Sequence, residues 1–294
     1  MKYRRVLLEA LTQAGTLIRR HFNRPITVSF KNNSPINLVT KTDQAADRLI
    51  RRVILKAFPD HDLLTEESVP TGKGSPYKWI IDPLDGTTNF AHHFPQCGVS
   101  IGLEFTPPHP GYAALSLRER DAAPLSDKGE GLGVRRSIII LAGVYDPFRD
   151  ELFWAEKGRG AWLVHAGRSQ RIAVSSTRTL EQSLLMTGFP YDRRERIDLY
   201  LQYLKVFMGK IQGIRRAGAA ALDLCWVASG RIDGYWEWRL KPWDQAAGSL
   251  IVEEAGGRMS DFSGKRFSIY GEQTLATNGR IHPAMLRGME TLPR

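Results

Sequence analysis

Two carboxylates stand three positions apart in Asp82-Pro83-Leu84-Asp85-Gly86-Thr87-Thr88-Asn89, directly after the apolar run Trp79-Ile80-Ile81. The proline removes a backbone donor and stiffens the turn, so both carboxylates can be aimed one way. Gly86 and Thr87 place backbone amides and a hydroxyl beside them, which is what a phosphate oxygen requires next to a bound cation. Taken alone, an Asp-x-x-Asp step is an ordinary turn. Its weight comes from further acids in apolar surroundings: Glu66-Glu67 follow Leu63-Leu64, and Asp244 follows Trp243 at the start of a helical pattern. Oxygen ligands of this kind suit magnesium or manganese rather than zinc. Two such cations would neutralise a phosphate monoester dianion, acidify a bound water and stabilise the departing alkoxide in an in-line displacement.

That chemistry needs no covalent intermediate, and no Cys-x5-Arg phosphatase loop is read in the chain. Cys97 and Cys225 sit among apolar neighbours and read as buried thiols, with no partner at metal-ligand spacing. The adjacent pair His92-His93 follows the acidic motif and reads as part of a turn. The tryptophans near the second acidic stretch, Trp226, Trp236, Trp238 and Trp243, read as core anchors rather than stacking platforms for nucleic acid.

Beyond this point the motifs are long enough to carry a resemblance. Trp79-Ile80-Ile81-Asp82-Pro83-Leu84-Asp85-Gly86-Thr87-Thr88-Asn89-Phe90 resembles the first signature of the inositol monophosphatase family. Trp243-Asp244-Gln245-Ala246-Ala247-Gly248, followed by Glu254-Ala255-Gly256-Gly257, resembles the second. Weaker similarity runs from the N-terminal helix to Thr277-Asn278-Gly279-Arg280, leaving out a stretch at about 106–137. The resemblance implies an α/β (α+β) fold, the layered αβαβα sandwich shared by inositol monophosphatases and fructose-1,6-bisphosphatases.

Carried over by position, the resemblance makes Glu66, Asp82 and the Leu84 carbonyl ligands of one metal. Asp82, Asp85 and Asp244 would hold a second, with two or three magnesium ions per site and manganese accepted in their place. Gly86 and Thr87 would bind the phosphate, and Thr87, supported by Asp43 in Leu38-Val39-Thr40-Lys41-Thr42-Asp43, would orient the nucleophilic water. Gly218, Ala219, Ala220 and Glu237 match the stretch that meets the alcohol part of the substrate, together with Asp244. Two positions depart from the family's pattern, Thr65 where glycine is usual and Asn37 where Asp is commoner, and neither removes a ligand. Lys31 resembles a basic residue of the family's preceding loop, but its spacing is off by one and it is left out of the site.

In that register Glu237 can accept hydrogen bonds from vicinal hydroxyls, which favours inositol 1-phosphate or a similar polyol or sugar phosphate. Fructose 1,6-bisphosphate, histidinol phosphate and 3′-phosphoadenosine 5′-phosphate remain open, because the metal chemistry is common to all of them. The resemblance also implies lithium sensitivity and a homodimer, and it leaves room for an additional RNA or transcription-complex role, since some bacterial relatives bind that machinery.

Elements must hold these residues. Val6, Leu7, Leu11, Ala14, Leu17, Ile18 and Phe22 recur at helical spacing, which predicts an amphipathic N-terminal helix rather than a signal peptide. Leu49, Ile50, Val53, Ile54 and Phe58 predict a second helix, capped by Thr42 or Asp43 and ending near Pro59. A strand at 78–81 is expected to stop at Asp82, and another runs over 98–103. Strands at 138–145, 151–156 and 161–164 form an antiparallel meander. Past about residue 180 the pattern alternates, with strands at 183–187 and 232–238, helices at 194–208 and 219–229, and a helix opening at Trp243-Asp244. The expected organisation is an N-terminal lobe, 1–180, carrying the metal motif and a Pro/Gly-rich insertion at about 106–137, and a C-terminal lobe, 181–294, completing the site.

A chain of 294 residues, 42% apolar and 24% charged, can bury a sizeable core without disulfides. Its net charge of +10 attracts phosphate esters, nucleic acid or anionic surfaces without distinguishing them, and the basic residues are dispersed rather than striped. There is no uninterrupted apolar run long enough to cross a bilayer. The expected address is cytoplasmic, with no membrane partner.

Overall fold

The structure, a computed structural model, describes residues 2–31, 36–107, 137–290 and 292, so the insertion expected at about 106–137 lies almost wholly outside the described residues. Helix α1 (Lys2–Phe22) buries Val6, Leu7, Ala10, Leu11, Ala14 and Ile18 along one stripe. Strands β1 (Val28–Phe30) and β2 (Leu38–Thr40) pair antiparallel and lead into α2 (Lys41–Ala57). The cap of α2 is Thr40, not Thr42 or Asp43: its hydroxyl accepts the Thr42 and Asp43 amides while the Asp43 carboxylate reaches back to the Thr40 amide. This reciprocal box satisfies helix-end amides twice over, which a cap at either later residue would not.

The first sheet is built from β3 (Asp62–Thr65), β4 (Tyr77–Asp85), β5 (Gly98–Phe105), β6 (Ile138–Asp146), β7 (Glu151–Glu156), β8 (Ala161–His165) and β9 (Arg168–Ile172), in that spatial order. Only β3 and β4 are parallel; β5 to β9 form the expected meander, extended by β9. A short helix, α3 (Thr87–Ala91), follows β4. The second sheet has the order β11-β10-β12-β14-β13, where β10 is Leu184–Thr187, β11 Gly213–Arg215, β12 Gly234–Trp238, β13 Arg258–Ser260 and β14 Gln273–Thr277. Helices α4 (Ile197–Met208), α5 (Ala220–Ala228), α6 (Pro242–Glu254) and α7 (His282–Glu290) complete the order.

These elements stack as five layers. Helices α1 and α2 cover the outer face of the first sheet through Leu7, Leu11, Ile50 and Ile54 against Trp79, Ile81 and Ile101. Helices α5 and α6 lie between the sheets; both are apolar nearly all round, with Gln245 to Val252 buried without a break, as a helix covered on every side must be. Helices α4 and α7 close the far side through Tyr203, Phe207, Met285 and Met289 over Trp236 and Trp238. Each fully buried side chain of this size contributes about 1.5–3 kcal/mol, so the three apolar layers carry most of the stability. Among the described residues no helix is long and apolar enough to cross a membrane.

Candidate functional site

Strand β4 does not stop at Asp82 but continues to Asp85 through an irregularity. Asp82 pairs with Ser100 and Asp85 with Gly98, so two residues, Pro83 and Leu84, oppose the single Val99. Side chains alternate along a strand, and an odd separation would send the two carboxylates to opposite faces. The extra residue of the bulge restores their parity, and proline is tolerated there because a bulged position has no ladder bond to lose. Gly86 then takes φ 91°, a conformation that glycine adopts without strain, and a Cβ there would lie 2.8 Å from the Gln96 carbonyl oxygen.

Each acid is held by a local donor. Asp82 accepts the Leu84 amide at 3.0 Å, and Asp85 accepts the Ala221 amide at 2.8 Å, at the N-terminus of α5 where the helix dipole favours negative charge. Asp244 caps α6 by accepting the Lys241 amide at 2.6 Å. Thr87 donates its hydroxyl to Asp43 at 2.8 Å and stands 3.1 Å from the Leu84 carbonyl, tying α2, the β4 bulge and α3 together. Glu66 lies just past the end of β3, its amide bonded to the Ile81 carbonyl at 3.2 Å.

The contact that sequence reasoning missed is on Glu66. Lys31 places its ammonium 2.7 Å from Glu66 and 2.5 Å from Glu67. Its spacing is off by one residue from the family's pattern, but loop length is a weak guide to where a flexible side chain reaches.

Electrostatics mark the same place. Burial, with Glu66, Asp85 and Asp244 around it, pushes the Asp82 carboxyl well above the usual carboxylate range. Asp244 is raised in the same way, by burial and then by Glu66 and Asp85. Asp85 is pushed up to about 7, burial first, with the Ala221 amide opposing and Glu66 and Glu237 adding. Burial also raises Asp43, against the hydrogen bonds from Thr40 and Thr87. Among the described residues no three acid, histidine or cysteine side chains stand in a group that could hold a cation as they are; Asp82, Asp85 and Asp244 each accept a backbone amide, and Glu66 is paired with Lys31. The donor set still fits a hard divalent metal: several buried carboxylates repel one another, their amide partners bring no positive charge, and cations relieve that cost.

Beyond the acids, Gly218 has φ 86° and its carbonyl lies 3.3 Å from the Asn89 side-chain amide, which also bonds the Ala217 carbonyl at 2.8 Å. Ala219 precedes α5 as its N-cap, and Ala220 opens the helix. Both alanine side chains are buried, so what this stretch can offer a ligand is backbone. Glu237 on β12 is pushed up to about 7 by burial, opposed by the Tyr235 hydroxyl and by the field of Arg216.

Other expectations resolve simply. His93 bonds the Phe22 carbonyl at 2.8 Å and belongs to the turn after α3. Both cysteines are buried free thiols. Contrary to the sequence reading, the spacing Cys-x5-Arg does occur, at Cys225 and Arg231. It is no phosphatase loop: Cys225 is fully buried within α5 and burial pushes its thiol up, while both Arg231 amino groups are bound to Glu151, at 2.6 and 2.5 Å.

The model of the inositol monophosphatase family matches residues 2–105 and 131–293. The chain is 38% identical over 286 residues to the Nus factor SuhB of Pseudomonas aeruginosa, covering 96% of this chain and 93% of that protein. It is 37% identical over 290 residues to the inositol-1-monophosphatase of Synechocystis, covering 98% of this chain and 89% of that one. Among solved structures, the extragenic suppressor protein suhB of Bartonella henselae superposes with a TM-score of 0.82 at 34% identity, covering 99% of both chains.

Proposed function

The chain belongs to the inositol monophosphatase family and is a metal-dependent phosphatase of that family, and from this premise we propose that it hydrolyses inositol 1-phosphate or a similar polyol phosphate with magnesium. The observation that carries the reading is the β4 bulge, which turns Asp82 and Asp85 to one side beside the fields of Glu66 and Asp244.

In this reading Glu66, Asp82 and the Leu84 carbonyl would hold one magnesium, and Asp82, Asp85 and Asp244 would hold a second, with two or three ions per site and manganese accepted in their place. Bound there, the metals supply charge neutralisation of the ester dianion and acidification of a water. The protein's own part is alignment. Thr87 donates its hydroxyl hydrogen bond to Asp43, which leaves the hydroxyl oxygen lone pairs to accept from the attacking water. Gly86 and Thr87 present backbone amides to the phosphate. Gly218, Ala219, Ala220 and Glu237 receive the alcohol portion, Glu237 as an acceptor for vicinal hydroxyls.

Phosphate release with magnesium, compared across inositol 1-phosphate, fructose 1,6-bisphosphate, histidinol phosphate and 3′-phosphoadenosine 5′-phosphate, tests the substrate. The highest kcat/KM belongs to inositol 1-phosphate; a clear preference for another ester reassigns it. Lithium chloride at millimolar levels inhibits, against potassium chloride at equal ionic strength, because a small monovalent cation in the carboxylate site supplies half the charge. Unchanged rates would remove lithium from the account. In this reading the enzyme is a cytoplasmic homodimer.

A second role, added to catalysis, is binding RNA or the transcription machinery. Net charge +10 favours it, as do relatives carrying the name Nus factor. A salt-dependent mobility shift with RNA supports it, and no shift at low salt removes the RNA role.

A further inference from the structure

Glu237 is fitted into its place by two residues that no motif singles out. Strands β10 and β12 run parallel with Met186 opposite Tyr235 and Thr187 opposite Trp236, and the Thr187 hydroxyl donates to the Trp236 carbonyl at 2.8 Å, pinning that register. The residue just after β10 is Gly188, which therefore abuts Glu237. A Cβ built on Gly188 would lie 1.9 Å from Glu237 Oε2, 2.2 Å from its Cδ and 2.3 Å from Oε1, so the carboxylate lies flat against a backbone that has room for hydrogen only. On the other side, Tyr235, two residues earlier on the same face of β12 and fully buried, donates its hydroxyl to Glu237 Oε2. Gly188 is not among the residues with positive φ, so its backbone does not itself require glycine. What the position excludes is a side chain against the carboxylate.

We propose that Gly188 and Tyr235 are positioning residues that clamp the Glu237 carboxylate and so set discrimination between polyol and simple phosphate esters. The inference rests on the assignment of Glu237 to the alcohol portion of the substrate and adds what decides where that acceptor stands. The three atoms nearest a methyl group at position 188 all belong to the end of the flexible Glu237 side chain, so the carboxylate is the first group it displaces. Loss of the Tyr235 hydroxyl frees Oε2 to turn. In both cases the acceptor leaves the place where sugar hydroxyls would find it, while the phosphate and metal ligands belong to other elements: Glu66 just past β3, Asp82 and Asp85 on β4, Gly86 and Thr87 at the start of α3, and Asp244 on α6.

The experiment measures kcat/KM for inositol 1-phosphate and for 4-nitrophenyl phosphate, with saturating magnesium, in wild type, Gly188→Ala, Tyr235→Phe, Glu237→Ala and the double variant Gly188→Ala with Glu237→Ala. Gly188→Ala and Tyr235→Phe each lower the ratio of the two values by about tenfold, the worth of one well-placed hydrogen bond, and the loss lies mainly in KM for the inositol ester. In the Glu237→Ala background Gly188→Ala changes the ratio no further, because the group it displaces is gone. An unchanged ratio in both single variants, equal losses on both esters, or a further drop in the double variant each overturns the clamp. Wild-type failure to hydrolyse the inositol ester, or a ratio unmoved by Glu237→Ala, overturns instead the assignment on which it rests, and is recognised separately by those two proteins alone.

Discussion

Asp85 shows how one residue carries both stability and chemistry. Its carboxylate accepts the first amides of α5 and is raised to about 7 by burial among other acids. Asp85→Asn keeps an acceptor for the Ala221 amide and removes a buried charge, so thermal unfolding in chelator occurs at the same temperature or higher. Turnover with magnesium falls by at least about 100-fold, because an amide is a poor ligand for a hard cation. Near wild-type turnover at saturating magnesium would take Asp85 out of the ligand set. The acids themselves were legible in the sequence because Asp82, Asp85 and Asp244 stand in long signatures. Lys31 was not, since its contact with Glu66 and Glu67 depends on how a loop folds back. The Cys225 and Arg231 spacing needed the structure to be dismissed, because only burial and the Glu151 pairing distinguish it from a reactive loop.

At the scale of elements, periodicity gave α1, the meander and the apolar helices of the middle layer, because burial writes a period into the sequence. It did not give the β4 bulge: the run Trp79 to Asp85 is buried throughout, and a continuous apolar strand has no alternation in which a parity change could show. Nor did it give the cap of α2, where Thr40, Thr42 and Asp43 all have suitable side chains and only the reciprocal bonding selects Thr40. The strands β1, β2, β11 and β13 are not read from the sequence because three residues are too few to show a pattern, and the longer β9, β14 and α7 are not read either. The cap links to the site, since Thr40 donates its hydroxyl to the same Asp43 that receives Thr87. Thr40→Ala therefore costs about 1–2 kcal/mol of stability by loss of the cap. It also lowers kcat more than it raises KM, as Asp43 loses its orientation; chemical denaturation and steady-state kinetics measure the two. Destabilisation with unchanged kcat would confine Thr40 to the fold.

Across the whole molecule, α2, the first sheet, α6 and β12 each supply acids to the site, and the acids raised by burial hold more protons in the folded chain than in the unfolded one. Asp85, Glu67 and Glu237 are all raised to about 7, from ordinary values of 3.8 for Asp and 4.5 for Glu. A carboxyl whose folded value is raised stabilises the fold at low pH and loses that contribution as pH climbs through the folded value. In chelator, these three groups thus lower the unfolding temperature between about pH 4.5 and 7. Saturating magnesium flattens the decline, because binding to the ionised acids stabilises the native state most where they are charged. A metal-free unfolding temperature that rises over this window would contradict the arrangement of acids. The most direct test of the central claim is phosphate release from inositol 1-phosphate by chelator-treated protein as magnesium is restored. Activity absent in chelator and recovered in a saturable way with magnesium is the predicted result; full activity in excess chelator would contradict the metal-dependent mechanism outright.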